Sequence, residues 1–233
     1  MSHLIELRSR LIRAIIAIGV ILVALLPFSN KLYTFLALPM LRSLPSGGHM
    51  IATEVTTPFF VPMKVAMMAA FLIALPYVLY QAWAFVAPGL YNHEKRLVLP
   101  LVVTSTILFY TGMSFAYFVV FPVIFGFIAA AAPEGVAVMT DIDKYLGFVL
   151  TMFMAFGVTF EVPVAVVVLV RLGVVSVAFL REIRRYVIVG AFVVGAIFTP
   201  PDIVSQSLLA IPLCLLYEIG ILAASRWKPK EAQ

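Results

Sequence analysis

Two acids, Glu6 and Glu94, are notable because each lies in a short basic segment of a largely uncharged sequence. Glu6 belongs to HLIELRSRL and Glu94 to YNHEKR. An arginine guanidinium presents a planar fork of N–H donors that both oxygens of a carboxylate can accept, whereas a lysine ammonium is a point charge. If both segments lie on the same face of a membrane, these carboxylates could receive a cationic peptide.

Structural explanations of the same acids remain open at this point. Glu6 and Arg10 are four residues apart on a predicted surface helix, where an ion pair contributes only about 0.2 to 0.5 kcal/mol. Asn92 could cap the helix that follows it, and Glu94 would then favour the positive end of the helix dipole. Spacing alone does not decide between these explanations and a peptide-binding site.

The composition predicts an integral membrane protein, because 64% of the residues are hydrophobic and 12% are charged. Most of the 233 residues are needed to cross the bilayer, so we predict one membrane domain over 1–233 and no separate catalytic domain. The formal charge is +5. Its basic residues lie beside apolar segments, which indicates contact with anionic membrane lipid and not with nucleic acid.

The apolar segments predict an all-α integral membrane protein with six transmembrane helices. The predicted spans cover about residues 11–28, 65–86, 97–121, 145–170, 186–199 and 207–224. We expect the third span to end near Pro122, with a further apolar piece along the membrane surface. The last two spans are short. At about 1.5 Å per residue the fifth cannot cross a core of about 30 Å unaided, which predicts a locally thinned bilayer.

Six crossings place both termini on the same side of the membrane. That side receives most of the 16 lysine and arginine residues. Because loops rich in lysine and arginine stay on the inside, we predict that both termini are cytoplasmic.

Enzyme chemistry finds little support in the sequence. His3 and His93 would lie on one side of the membrane and His49 on the other, so the three histidines cannot share a metal ion. The sequence contains no Gly-rich phosphate loop, nucleophile elbow or HExxH motif. We therefore predict no catalytic residues, no metal site and no cofactor.

Five segments, in the same order and covering nearly the whole chain, resemble the TatC family, the multispanning receptor of the twin-arginine protein translocase. They are HLIELRSRL (3–11), FVAPGLYNHEKR (85–96), FYTGMSFAYFVVFP (109–122), FMAFGVTFEVPV (153–164) and GAFVVGAIFTPPDIVSQ (190–206). The agreement of several long motifs is far more specific than any one of them.

The resemblance implies a multi-pass protein of the bacterial inner membrane that recognises the twin-arginine signal peptides of folded proteins. It also implies the single-span partners TatA and TatB, self-association in the complex, and the proton-motive force as energy source. The family's signal-peptide acids correspond to Glu6 and Glu94 in this sequence. Arg8, Gln81 and Phe85 are assigned supporting roles.

Glu161 lies within the fourth predicted span, where an acid is costly and usually faces a cavity or a partner. The resemblance implies a polar site there for a partner helix, together with Thr199 and Gln206 beside the turn that contains Asp202. Two structural explanations remain open: Glu161 as a protonated packing residue, and the others as turn residues that satisfy backbone groups. An alternative function is a proton-coupled small-solute transporter with Glu161 as the proton carrier.

Overall fold

The computed structural model describes residues 2–43, 50–86, 98–130, 139–199 and 202–226. Its α-helices are α1 Ser2–Leu25, α2 Ser29–Ser43, α3 Thr57–Val86, α4 Val98–Phe115, α5 Phe121–Ala130, α6 Ile142–Phe160, α7 Val162–Arg171, α8 Val177–Glu182, α9 Arg184–Phe198 and α10 Ile203–Ser225. A 3₁₀ turn, Leu26–Phe28, joins α1 to α2, and a π-helical segment, Ala116–Val120, joins α4 to α5. The prediction of an all-α protein is confirmed.

Five helical stretches of the described chain are long and apolar enough to cross a membrane. They are Leu4–Leu38, Thr57–Phe85, Val98–Ile128, Ile142–Arg171 and Ile203–Ser225. The protein is therefore a multi-pass membrane protein. Helix α9 has only 15 residues, in agreement with the short fifth span that the sequence predicts, and the count of six crossings stays a prediction.

The sequence analysis predicts that the third span ends near Pro122, but the helix itself does not end there. The helix passes through the π-helical segment and continues as α5 to Ala130. A proline inside a helix lacks the N–H that the preceding turn would use, and a wider π turn relieves the resulting clash. In lipid the chain gains nothing by leaving the helix, because no water is present to satisfy its backbone.

Helix α10 is longer than the sequence analysis predicts, so of the last two predicted spans α9 is short and α10 is not. It begins at Ile203, four residues before the expected start, and its 23 residues suffice for a crossing. The Asp202 carboxylate accepts a hydrogen bond from the Ser205 N–H at 2.7 Å and caps the helix. Polar residues that resemble a loop in the sequence are thus the first turn of a helix.

Helices α4 and α6 are in close contact because each has a glycine facing an aromatic residue of the other. A Cβ atom at Gly112 would lie 2.5 Å from the Phe156 carbonyl oxygen, and one at Gly157 would overlap the Phe109 ring. Small residues of this kind let transmembrane helices approach closely. The contact fixes α4, which carries Ser105, against α6, which ends beside Glu161.

In two helices a tyrosine hydroxyl donates a hydrogen bond to the backbone carbonyl that lies four residues before a proline. Pro76 lies inside α3 and has no N–H for the Leu72 carbonyl; the Tyr110 hydroxyl donates to that carbonyl at 2.6 Å. In α2 the Tyr117 hydroxyl donates at 3.0 Å to the carbonyl of Phe35, four residues before a proline in the sequence. An unpaired carbonyl in lipid costs several kcal/mol, so these bonds stabilise the interrupted helices.

The segment before α3 is tied to the start of α6 through Asp141. The Thr53 N–H and hydroxyl donate to Asp141 Oδ2 at 3.0 and 2.6 Å. The other oxygen, Oδ1, accepts the N–H groups of Asp143 and Lys144 at 2.8 and 3.0 Å. The Thr53 hydroxyl, followed by the backbone of Lys144, lowers the pKa of Asp141 to about 2, so this carboxylate is ionised at neutral pH.

Candidate functional site

The N-terminal end of α1 packs against the C-terminal end of α3 through a polar cluster of Glu6, Arg10 and Gln81. Arg10 donates to Glu6 Oε1 from Nε at 3.0 Å and from Nη2 at 2.6 Å. Its third bond goes from Nη1 to Gln81 Oε1 at 3.3 Å. Gln81 is buried, so its amide oxygen has exchanged water for a charged donor. The cluster joins two segments that are 71 residues apart in the sequence.

The structure brings together some of the residues that the sequence analysis assigns to signal-peptide binding. Glu6 and Gln81 share Arg10. Phe85 is half-buried one turn after Gln81 in α3, on the same face because residues four apart align. Arg8 is exposed. Glu94 lies outside the described residues, so its convergence with Glu6 stays a prediction.

The structural explanation of Glu6, an ion pair with Arg10, is partly correct. The Glu6–Arg10 pair is present, as the four-residue spacing suggests. The bond from Arg10 to Gln81 was not predicted. No periodicity in the sequence indicates which side chain of α3 faces α1, because that depends on how the two helices are rotated against each other.

Glu161 occupies the junction between α6 and α7. It ends one helix and precedes the other, and Pro163 follows within the first turn of α7. Both carboxyl oxygens are buried and accept no hydrogen bond from the described residues. The Ser105 hydroxyl of α4 lies close to the carboxyl group. Glu161 therefore faces the interior of the protein, where its two buried oxygens lie beside the Ser105 hydroxyl and form no well-aligned hydrogen bond with the described residues.

Ser105 and Trp83 belong to the surroundings of Glu161 and were missed as site residues. Ser105 is fully buried, and its hydroxyl oxygen accepts a hydrogen bond from Trp83 Nε1 at 3.0 Å. Because that oxygen acts as acceptor, its own proton remains for another acceptor. A serine in an apolar helix was the available signal for Ser105, and the sequence analysis gave no signal for Trp83.

Thr199, Asp202 and Gln206 all lie at the hairpin between α9 and α10. The Thr199 hydroxyl donates to the Gly195 carbonyl at 2.8 Å, and Thr199 is buried. Gln206 Nε2 donates to the Phe192 carbonyl at 2.7 Å and links the two helices. With the Asp202 cap, each residue satisfies a backbone group, as the structural explanation expects. A role in partner binding stays a prediction.

The described residues contain no group of three side chains suited to hold a metal ion. Their remaining ion pairs are structural. Arg184 Nη2 binds Glu218 Oε2 at 2.7 Å and joins α9 to α10, and Lys64 Nζ binds Asp143 Oδ1 at 2.6 Å. Among the described residues, the buried side-chain atoms without a hydrogen-bond partner are both Glu161 oxygens and the Ser205 hydroxyl oxygen.

The described chain has five helical stretches that are long and apolar enough to cross a membrane, and the Glu161 carboxyl group is buried among them. These features place the chain among the multi-pass α-helical membrane proteins. Comparisons with known proteins identify the family. The family described as "TatC: Sec-independent protein translocase protein (TatC)" matches residues 2–212. This chain belongs to the TatC family. The family is part of a protein translocase and is not an enzyme family, and these comparisons do not support a solute transporter.

Individual relatives are similar over most of their length. The chain is 52% identical over 230 residues to the Sec-independent protein translocase protein TatC of Haemophilus influenzae, covering 99% of this chain and 90% of that protein. It is 57% identical over 220 residues to the Escherichia coli protein of the same name, covering 94% and 85%. A crystal structure described as the twin arginine translocase receptor TatC superposes with a TM-score of 0.84 at 40% identity, covering 96% of this chain and 98% of that chain.

Proposed function

We propose that this chain is the receptor of a twin-arginine translocase, which binds twin-arginine signal peptides of folded proteins at a bacterial cytoplasmic membrane. Both termini lie in the cytoplasm. The solved structures that it matches are described as twin-arginine translocase receptors. One observation carries the proposal: the Glu6 carboxylate and the Gln81 amide already bind a guanidinium group, that of Arg10.

The proposed site consists of Glu6 and Glu94 as acceptors for the paired arginines, with Gln81, Phe85 and Arg8 around them. Each charge-assisted hydrogen bond from a guanidinium to a carboxylate contributes about 1.5 to 3 kcal/mol when the pair is partly desolvated. A lysine cannot make the two parallel bonds that an arginine makes. The site therefore favours arginine over lysine by geometry as well as by charge.

A second, intramembrane site accepts a helix of a partner subunit, TatA or TatB, as the receptor assembles and self-associates in the complex. Glu161 supports this proposal, because its two carboxyl oxygens are buried and form no well-aligned hydrogen bond with the described residues. Thr199, Asp202 and Gln206 form the polar hairpin of the same proposed docking area. A hydrogen bond between transmembrane helices contributes about 0.6 to 2 kcal/mol, which suits a reversible contact.

Cross-linking to a twin-arginine signal peptide in membrane vesicles tests the first site. The double variant Glu6→Ala with Glu94→Ala is expected to lose the cross-link while it still inserts into the membrane. The matched control is Glu54→Ala, because Glu54 is exposed in the segment before α3, at the other end of that helix from Gln81. If the double variant cross-links as the unaltered protein does, the assigned site is wrong.

The intramembrane site is tested with two variants of similar size, Glu161→Gln and Glu161→Leu. A glutamine keeps the capacity to hydrogen-bond, so cross-linking to a single-span partner should survive. A leucine removes that capacity and should weaken the cross-link by about three- to thirtyfold, the factor for 0.6 to 2 kcal/mol. Equal cross-linking in both variants would argue against a polar contact at this position.

A further inference from the structure

Arg10 connects the two walls of the proposed signal-peptide site. Its guanidinium makes two bonds to Glu6 on α1 and one to Gln81 on α3. The Arg10 side chain is 23% exposed and that of Glu6 is 36% exposed. The arginine therefore lies deeper than the acid, and the more accessible part of the ion pair is the carboxylate.

Within the described residues, Arg10 binds only one of the two oxygens of the Glu6 carboxylate. Both N–H donors of Arg10 go to the same oxygen, Oε1. The described residues donate no hydrogen bond to Oε2. In the strongest guanidinium–carboxylate pairs the two N–H donors bind the two oxygens side by side, and Arg10 does not bind Glu6 in this way. Arg10 thus fixes the carboxylate by one oxygen, and the part of the chain that the structure describes supplies no donor to the other.

We infer that Arg10 is a positioning residue for signal-peptide recognition, which anchors Glu6 to Gln81 so that Glu6 Oε2 faces an incoming guanidinium. This inference rests on the proposed function of the site. A free glutamate side chain samples several rotamers, and fixing it before binding removes that entropy cost from the binding step. The orientation matters most for a ligand with a planar fork of donors and least for a point charge.

The test compares two peptides on the full-length chain in membrane vesicles that contain its translocase partners. One peptide carries a twin-arginine motif and the other has twin lysines in its place. The variant is Arg10→Met, which keeps an unbranched apolar side chain at this position and removes the hydrogen-bond donors. The matched control is Arg13→Met, because Arg13 is an exposed arginine of the same helix that makes no ion pair or hydrogen bond within the described residues.

Arg10→Met is expected to weaken binding of the twin-arginine peptide by about tenfold, the loss of roughly one charge-assisted bond. Binding of the twin-lysine peptide should change little, so the ratio of the two affinities falls. Arg13→Met should leave both affinities as they are. Gln81→Met should weaken binding of the twin-arginine peptide less in the Arg10→Met variant than in the unaltered protein. The two residues act through the same hydrogen bond, so their effects are not additive.

Three outcomes would overturn the inference. If both affinities fall by the same factor, Arg10 only maintains the fraction of receptor molecules that are able to bind a peptide. If both rise, Arg10 competes with the peptide for Glu6. If neither changes, Arg10 has no part in recognition. A failure of the proposed function is distinguishable from all three, because the unaltered chain would then bind the twin-arginine and twin-lysine peptides equally.

Discussion

Replacing Tyr110 by phenylalanine tests whether a side-chain hydroxyl compensates for a proline in a transmembrane helix. The hydroxyl donates to the Leu72 carbonyl at 2.6 Å, and Pro76 is the residue whose missing N–H leaves that carbonyl free. Tyr110→Phe should lower the free energy of unfolding by about 1 to 2 kcal/mol, because a buried acceptor loses its donor. Pro76→Ala restores an N–H at this point of α3, so Tyr110→Phe should cost less than about 0.5 kcal/mol in that background.

Unfolding by sodium dodecyl sulfate in mixed micelles measures all four proteins of this cycle. Tyr33→Phe is the matched control: the Tyr33 hydroxyl contacts the Met50 sulfur at 3.8 Å, and a thioether is a weak acceptor. Its removal should cost only a few tenths of a kcal/mol, roughly the value of a weak contact. If Tyr110→Phe is equally costly with and without the proline, the compensation argument is refuted.

Two further predictions concern packing and pH. Gly112→Ala should lower the free energy of unfolding by roughly 1 to 3 kcal/mol, because its methyl group meets the Phe156 carbonyl oxygen; Gly147→Ala, with nothing within 4 Å, should cost nothing in the same unfolding assay. Asp141 has an ordinary pKa of 3.8 that is lowered to about 2 in the folded protein, so its stabilisation is present above about pH 4 and is lost as the pH falls towards about 2. The unfolding midpoints of the unaltered protein and of Asp141→Asn should therefore converge over that pH range, and a constant difference would contradict the assignment.

The spans were predictable because lipid forces the backbone into helices and the hydropathy pattern marks where they lie. The residues at which the helices begin and end were less predictable. Pro122 ends a helix by the rules that hold in water, but here the chain continues through a π turn. The polar residues after Asp202 resemble a loop, although they form the first turn of α10.

The site was predictable in its residue types and not in its contacts. Glu6 and Glu161 are identified by being acids in unusual positions, and the resemblance gives them roles. The bonds from Arg10 to Gln81 and from Trp83 to Ser105 depend on how neighbouring helices are rotated. Helices α3 and α4, which carry Gln81, Trp83 and Ser105, are apolar on nearly all sides, so the pattern gives no preferred face to align.

The length of α9 has a consequence for reconstitution experiments. Its 15 residues reach about 22 Å at about 1.5 Å per residue, roughly 8 Å less than a typical hydrocarbon core. A deficit of this size costs a fraction of a kcal/mol per Å, and it is relieved by shorter acyl chains or by covering the helix with another protein surface. If α9 is the fifth crossing that the sequence predicts, lipids with long acyl chains should drive it towards protein contacts, so acyl-chain length belongs among the controlled variables of any assembly measurement.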